Sequence, residues 1–107
     1  MITILIALAL AGPNPHTLDA PRKGYTACLK EFETRSLAGQ VAAAAYATAV
    51  KSACSAEAAA LARALVAYDV AMGGKRASAT ANADNDIADY RLTSEERYRD
   101  LRPDKAP

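Results

Sequence analysis

The 107-residue chain is expected to be all-α: an antiparallel helical hairpin extended to a three-helix assembly, with one long central helix. Three observations point there. Alanine, the best helix former, supplies 27 of the 107 residues. Larger side chains recur at helical spacing through most of the chain. No segment alternates apolar and polar residues as a half-buried strand would. The length allows one domain, and a formal charge of +1 argues against a nucleic-acid binder, which usually carries a strong basic excess.

The first segment, residues 1–11, reads MITILIALALA. It is wholly apolar and closes on Ala9-Leu10-Ala11, a small-x-small pattern of the kind a signal peptidase accepts. Every Asp, Glu, Lys and Arg lies from Asp19 onward. Eleven residues fall short of the roughly 20 that cross a bilayer, so an export signal is expected here rather than a transmembrane anchor. A Pro-rich linker, 12–18, follows and carries the lone His16 as a solvated side chain, and the signal with its linker reaches to about 18.

A single helical domain then covers 19–102. Helix 1 is placed at about 20–38: Asp19 can cap it, Pro21 is tolerated in the first turn, and Gly39 suits the residue after its end. Tyr25, Cys28, Leu29, Phe32 and Ser36 form its stripe. In the next segment, positions 46, 50, 54, 57, 61, 65, 68 and 72 step by 4, 4, 3, 4, 4, 3 and 4. That is one stripe of eleven-residue period, about 3.67 residues per turn, with no Gly or Pro between Val41 and Met72. The expectation is one helix over about 42–72, ~45 Å long. The alternative is two helices broken at Ser55, with Ser55 as cap. Gly73-Gly74 ends the segment. Helix 3 is placed at about 78–101 with Ser78 as cap, a stripe of Ile87, Tyr90, Ser94, Tyr98 and Leu101, and a kink or restart at Thr93. Residues 103–107 form a frayed tail.

Cys28 and Cys54 have no neighbouring His or third soft ligand at metal spacing. In an oxidising compartment they would pair, and closing that loop stabilises by roughly 3–4 kcal/mol in the chain-entropy model. The alternative is two reduced, buried thiols. The midpoint of 28 and 54 falls at residue 41, beside the Gly39 turn, as cross-linking an antiparallel hairpin requires.

Candidate chemistry is sparse. Glu57 occupies a stripe position where an apolar side chain is expected, so it can bind a cation, pair with a basic partner, or simply reach water from the stripe's edge. A groove lined by Tyr46, Leu61, Leu65 and Tyr68 is the candidate ligand site. The run Asp84–Asp89 has acidic residues but lacks the glycine of a calcium loop, and reads as a solvated acidic face. The C-terminal YRLTSEERYRDLR interleaves acids with its arginines, with Glu95 and Arg99 four apart, so it is not a basic patch. No Ser-His, Cys-His, phosphate-loop or metal motif occurs, and no catalysis, cofactor or metal is expected.

Cys28-Leu29 on a first helix, Ala53-Cys54-x-x-Glu57 on an Ala-rich one, Asp69 to Gly73 and Asp89-Tyr90-Arg91 together resemble a group of small alanine-rich, two-cysteine exported proteins of alphaproteobacteria. The resemblance implies no activity; it implies a periplasmic or secreted location and a disulfide. The expected function is a non-catalytic interaction or structural module of the cell envelope, with an exposed apolar strip on helix 2 docking a protein partner or a second copy. The alternative is a small-ligand or lipid carrier.

Overall fold

The computed structural model describes residues 13–102, so the expected signal segment and the 103–107 tail lie outside the described residues. A short 3-10 turn, Pro15–Leu18, leads into α1 (Asp19–Ala38), followed by α2 (Ala43–Ala53), α3 (Ser55–Ala71) and α4 (Arg76–Leu101). The described residues are therefore all-α, as expected. Leu18 is buried, and the turn packs on α1 and α3, so this part of the expected linker belongs to the domain. Asp19 is the first residue of α1 and not its cap.

The central segment departs from a single helix at one residue. Cys54 has φ −118° and ψ 34°, and its N–H reaches the Ser52 carbonyl in place of a helical i−4 partner. The break thus falls beside Ser55, the position of the alternative considered above, but Ser55 caps nothing: neither α2 nor α3 has a side-chain cap. The stripe survives the break, since Tyr46, Val50, Cys54 and Leu61 are all buried. Toward Met72 the stripe reaches solvent.

Both interhelical turns use one device. Val41 N–H bonds the Ser36 carbonyl and Gln40 N–H that of Leu37; Gly74 N–H bonds the Asp69 carbonyl and Gly73 N–H that of Val70. These are paired Schellman closures, which put one residue in the left-handed region. After α3 that residue is Gly73, φ +102°, but after α1 it is Gln40, φ +56°, one position beyond the glycine that the sequence offers.

α4 runs unbroken through Thr93 and starts at Arg76, two residues before the expected Ser78 cap. Its buried face is Ala79, Ala83, Ser94 and Tyr98, with Ile87 and Tyr90 half-buried between them. Leu101, placed in the stripe by sequence, is exposed. α1 lies antiparallel to α2–α3, tied by the Cys28–Cys54 disulfide with Cα atoms 6.0 Å apart. α4 returns parallel to α1, Tyr90 meeting Tyr25 and Arg97 meeting Glu33. Among the described residues no helix is long and apolar enough to cross a membrane.

Candidate functional site

The first polar assembly is buried where α1, α2 and α4 meet. Glu33 falls in phase with Tyr25, Leu29 and Ser36, so α1 delivers its carboxylate to the core side. Arg97 donates to both of its oxygens, Nε to Oε1 at 2.8 Å and Nη2 to Oε2 at 2.6 Å. The Ser94 hydroxyl donates to Oε2 at 2.6 Å, which leaves the Tyr46 hydroxyl to donate to Ser94 Oγ at 2.7 Å. Tyr98 donates to the Val41 carbonyl at 2.6 Å, and its ring stacks on Tyr46 with centroids 3.9 Å apart. Phe32 also stacks on Tyr46, with centroids 5.3 Å apart.

Burial pushes the Glu33 carboxyl up, but the hydrogen bonds from Arg97 and Ser94 and the charges of Arg97 and Lys30 outweigh it, and its pKa lies below the ordinary value. The Arg97 guanidinium is held more firmly protonated by the same pairing. Burial raises the Tyr46 phenol. Both Glu33 oxygens and the hydroxyls of Ser94, Tyr46 and Tyr98 are engaged within the assembly, so it locks three helices together.

The second feature opens beside it. A groove of about 660 Å³ runs between the parallel helices α1 and α4, with Leu29 in its floor. α1 contributes Arg22, Thr26 and Lys30, one turn apart; α4 contributes Asp86, Asp89, Tyr90, Thr93 and Arg97. Arg22 Nε donates to the Tyr90 hydroxyl at 3.1 Å, bracing the groove across its two walls. Thr26 spends its hydroxyl on the Arg22 carbonyl at 3.0 Å. The acids sit toward one end beside Arg22, and Lys30 with Arg97 toward the other. Asp89 and Arg97 are eight residues apart, which is roughly 12 Å along a helix axis. A smaller cleft of about 270 Å³ between α3 and α4 is lined by Arg63, Arg76, Asp84 and small side chains.

The residues singled out by sequence fall elsewhere. Tyr46 and Leu61 have no exposed surface and Leu65 packs against them, so these three build core and not a groove, while Tyr68 is half-buried outside that core. Glu57 is half-buried in the first turn of α3, its carboxylate within 4.8 Å of both Cys28 and Cys54 sulfurs. With both sulfurs in the disulfide, that trio offers a cation one carboxylate and no thiolate. His16 lies on the 3-10 turn with its Nδ1 3.2 Å from Asp19 Oδ2, both exposed. Glu95 sits 3.8 Å from Arg91, its i−4 neighbour. The outer face of α2–α3 is alanine: Ala45, Ala49, Ala53, Ala56, Ala59, Ala67 and Ala71 are exposed, and Met72 is the large apolar side chain well exposed there.

Sequence inspection passes over Glu33, Arg97, Arg22 and Lys30. A signal existed for Glu33, an acid in phase with an apolar stripe; for the others, basic residues on charged faces, nothing local distinguishes them. Comparison with protein-family models, with curated proteins and with solved structures finds no match to this chain.

Proposed function

We propose that the protein is a non-catalytic, exported binding module whose α1/α4 groove takes a short zwitterionic ligand of peptide size. The observation that carries this is the uneven charge along one braced groove: two acids, Asp86 and Asp89, outnumber the single cation Arg22 toward one end, and Lys30 stands toward the other, with the Thr93 hydroxyl between. Neither Asp nor Lys30 is drawn into an ion pair like the one that consumes Arg97. An extended chain spans about 3.3–3.6 Å per residue, so about three residues bridge the two ends, ammonium on the aspartates and carboxylate on Lys30.

The lone exposed His16 and the fully engaged Glu33 support a binding role over catalysis. Export is supported by the apolar first segment, by the cysteine pair and by the resemblance to small exported alphaproteobacterial proteins. Intact mass of the protein from its native host checks that part directly, reading the mature N-terminus and the 2 Da deficit of a disulfide. For the groove, amide shifts are followed by NMR during titration with trialanine and with its N-acetylated and C-amidated forms. Free trialanine should shift α1 and α4 amides around Lys30 and Thr93, with a loss of affinity of at least about tenfold on blocking either end and on Asp86→Asn/Asp89→Asn. Equal binding of all forms, or no shift at millimolar peptide, overturns it. Light scattering on the same sample tests whether the alanine face of α2–α3 instead joins two copies.

A further inference from the structure

The local sequence offers only Ser55 as a reason for the break between α2 and α3, and Ser55 caps nothing there. From Ala43 to Ala71 there is no Gly or Pro, the segment is dominated by alanine, and the eleven-residue stripe keeps its phase from Tyr46 through Cys54 to Leu61. Sharp helix breaks normally trace to proline, a Gly/Ser pair, a π-bulge or an inserted group. Here the one non-helical residue is the one that is covalently tied to α1. Its N–H reaches the Ser52 carbonyl in place of the i−4 carbonyl of Val50, and no side chain caps the new start of α3. Glu57 in the first turn of α3 favours a helix start there through the macrodipole, a modest effect beside the lost backbone bonds.

We infer that the Cys28–Cys54 disulfide imposes this break, and that reduction fuses α2 and α3 into one continuous helix spanning Ala43–Ala71. The disulfide thereby acts as a redox-controlled joint. The chemistry is ordinary thiol–disulfide exchange. A dithiol reductant gives up two electrons and two protons, the Sγ–Sγ bond breaks, Cys28 and Cys54 each gain a proton, and the dithiol closes to its own disulfide. Because the stripe is in phase across the joint, Tyr46, Val50, Cys54 and Leu61 stay on one face in the fused helix, so the change re-aims α3 without turning core residues outward. Fusion also removes the first-turn site of Glu57, whose carboxylate lies beside both sulfurs in the oxidised form.

The experiment is backbone NMR on the oxidised protein, on the protein held in excess dithiothreitol, and on Cys28→Ala, which keeps residue 54 unchanged while cutting the tie. In the oxidised protein the Cys54 Cα shift should fall outside the helical range. In the other two it should move into that range, with sequential amide NOEs continuous from Ala53 to Ser55 and slower amide exchange at Cys54. A folded reduced protein or a folded Cys28→Ala that keeps the non-helical signature at Cys54 overturns the inference, because packing rather than the bond would then set the break. Unfolding of both overturns it too, since no fused-helix form would exist.

Discussion

The two ends of the bundle are built from different materials. Where α1, α2 and α4 meet, Tyr46 and Tyr98 stack with no exposed surface while Glu33, Ser94 and Arg97 join the same core. Where α3 meets the first half of α4, the buried residues outside that core are Ala79 and Ala83. The first end draws its stability from large apolar area and specifies register through directional hydrogen bonds. The second end buries methyl groups, each worth about 0.8 kcal/mol, and depends on helices approaching closely over small side chains. Specificity therefore sits at one end and close approach at the other.

Breaking the polar lock should have the largest effect. Glu33→Ala leaves the Ser94 hydroxyl with Tyr46 alone and removes both acceptors of Arg97, and is expected to cost about 2–3 kcal/mol in urea denaturation. The same group sets an acid limit. Its pKa is lower folded than unfolded, so its contribution is present above the unfolded value, near 4.5, and is lost as pH falls through the lower folded value. A stability–pH curve should decline across that acidic window in the native protein and lose this component in the variant. An unchanged acid slope would show that the lock contributes nothing net.

At the other end the test is overfilling. Ala83→Leu forces extra volume into the α3/α4 seam and should destabilise by about 1–3 kcal/mol, while the same change at the exposed Ala81 should leave the melting temperature nearly unchanged. Equal effects at the two positions would mean that the helices are not closely packed there.

The smallest expected effect has the opposite sign and separates the two turns. Gln40 holds φ +56° where the matching turn has Gly73. Gln40→Gly should raise stability by about 1 kcal/mol, read as a higher urea midpoint at constant slope. A drop would mean that the Gln40 side chain contributes more than its backbone strain costs.

Much of the fold was legible because it is written in periodicity. Alanine content, the eleven-residue stripe, the Gly73-Gly74 stop and the symmetry of Cys28 and Cys54 about residue 41 are local quantities, and each matches an observed feature. The candidate site was less legible. Glu33 was visible as an acid in phase with a stripe, but pairing it with Arg97 requires knowing that α4 returns parallel to α1. The groove arises from that same parallel return, and Arg22, Lys30, Asp86 and Asp89 look in sequence like any solvated charges. Tyr46 and Leu61 were misassigned to a groove because periodicity identifies the inward face without saying whether a third helix covers it.

The sequence by itself determined that the chain is helical, where its inward faces lie, and which two cysteines are in register, since backbone propensity and side-chain period act over a few residues. Tertiary structure decided between one continuous helix and the break beside Ser55, placing it at Cys54, and it decided that Gln40 rather than Gly39 takes the left-handed turn and which charges meet across α1 and α4. Those outcomes depend on a covalent tie, a chain reversal and helix docking between residues up to 68 apart in sequence, and at that range local free energies no longer choose the answer.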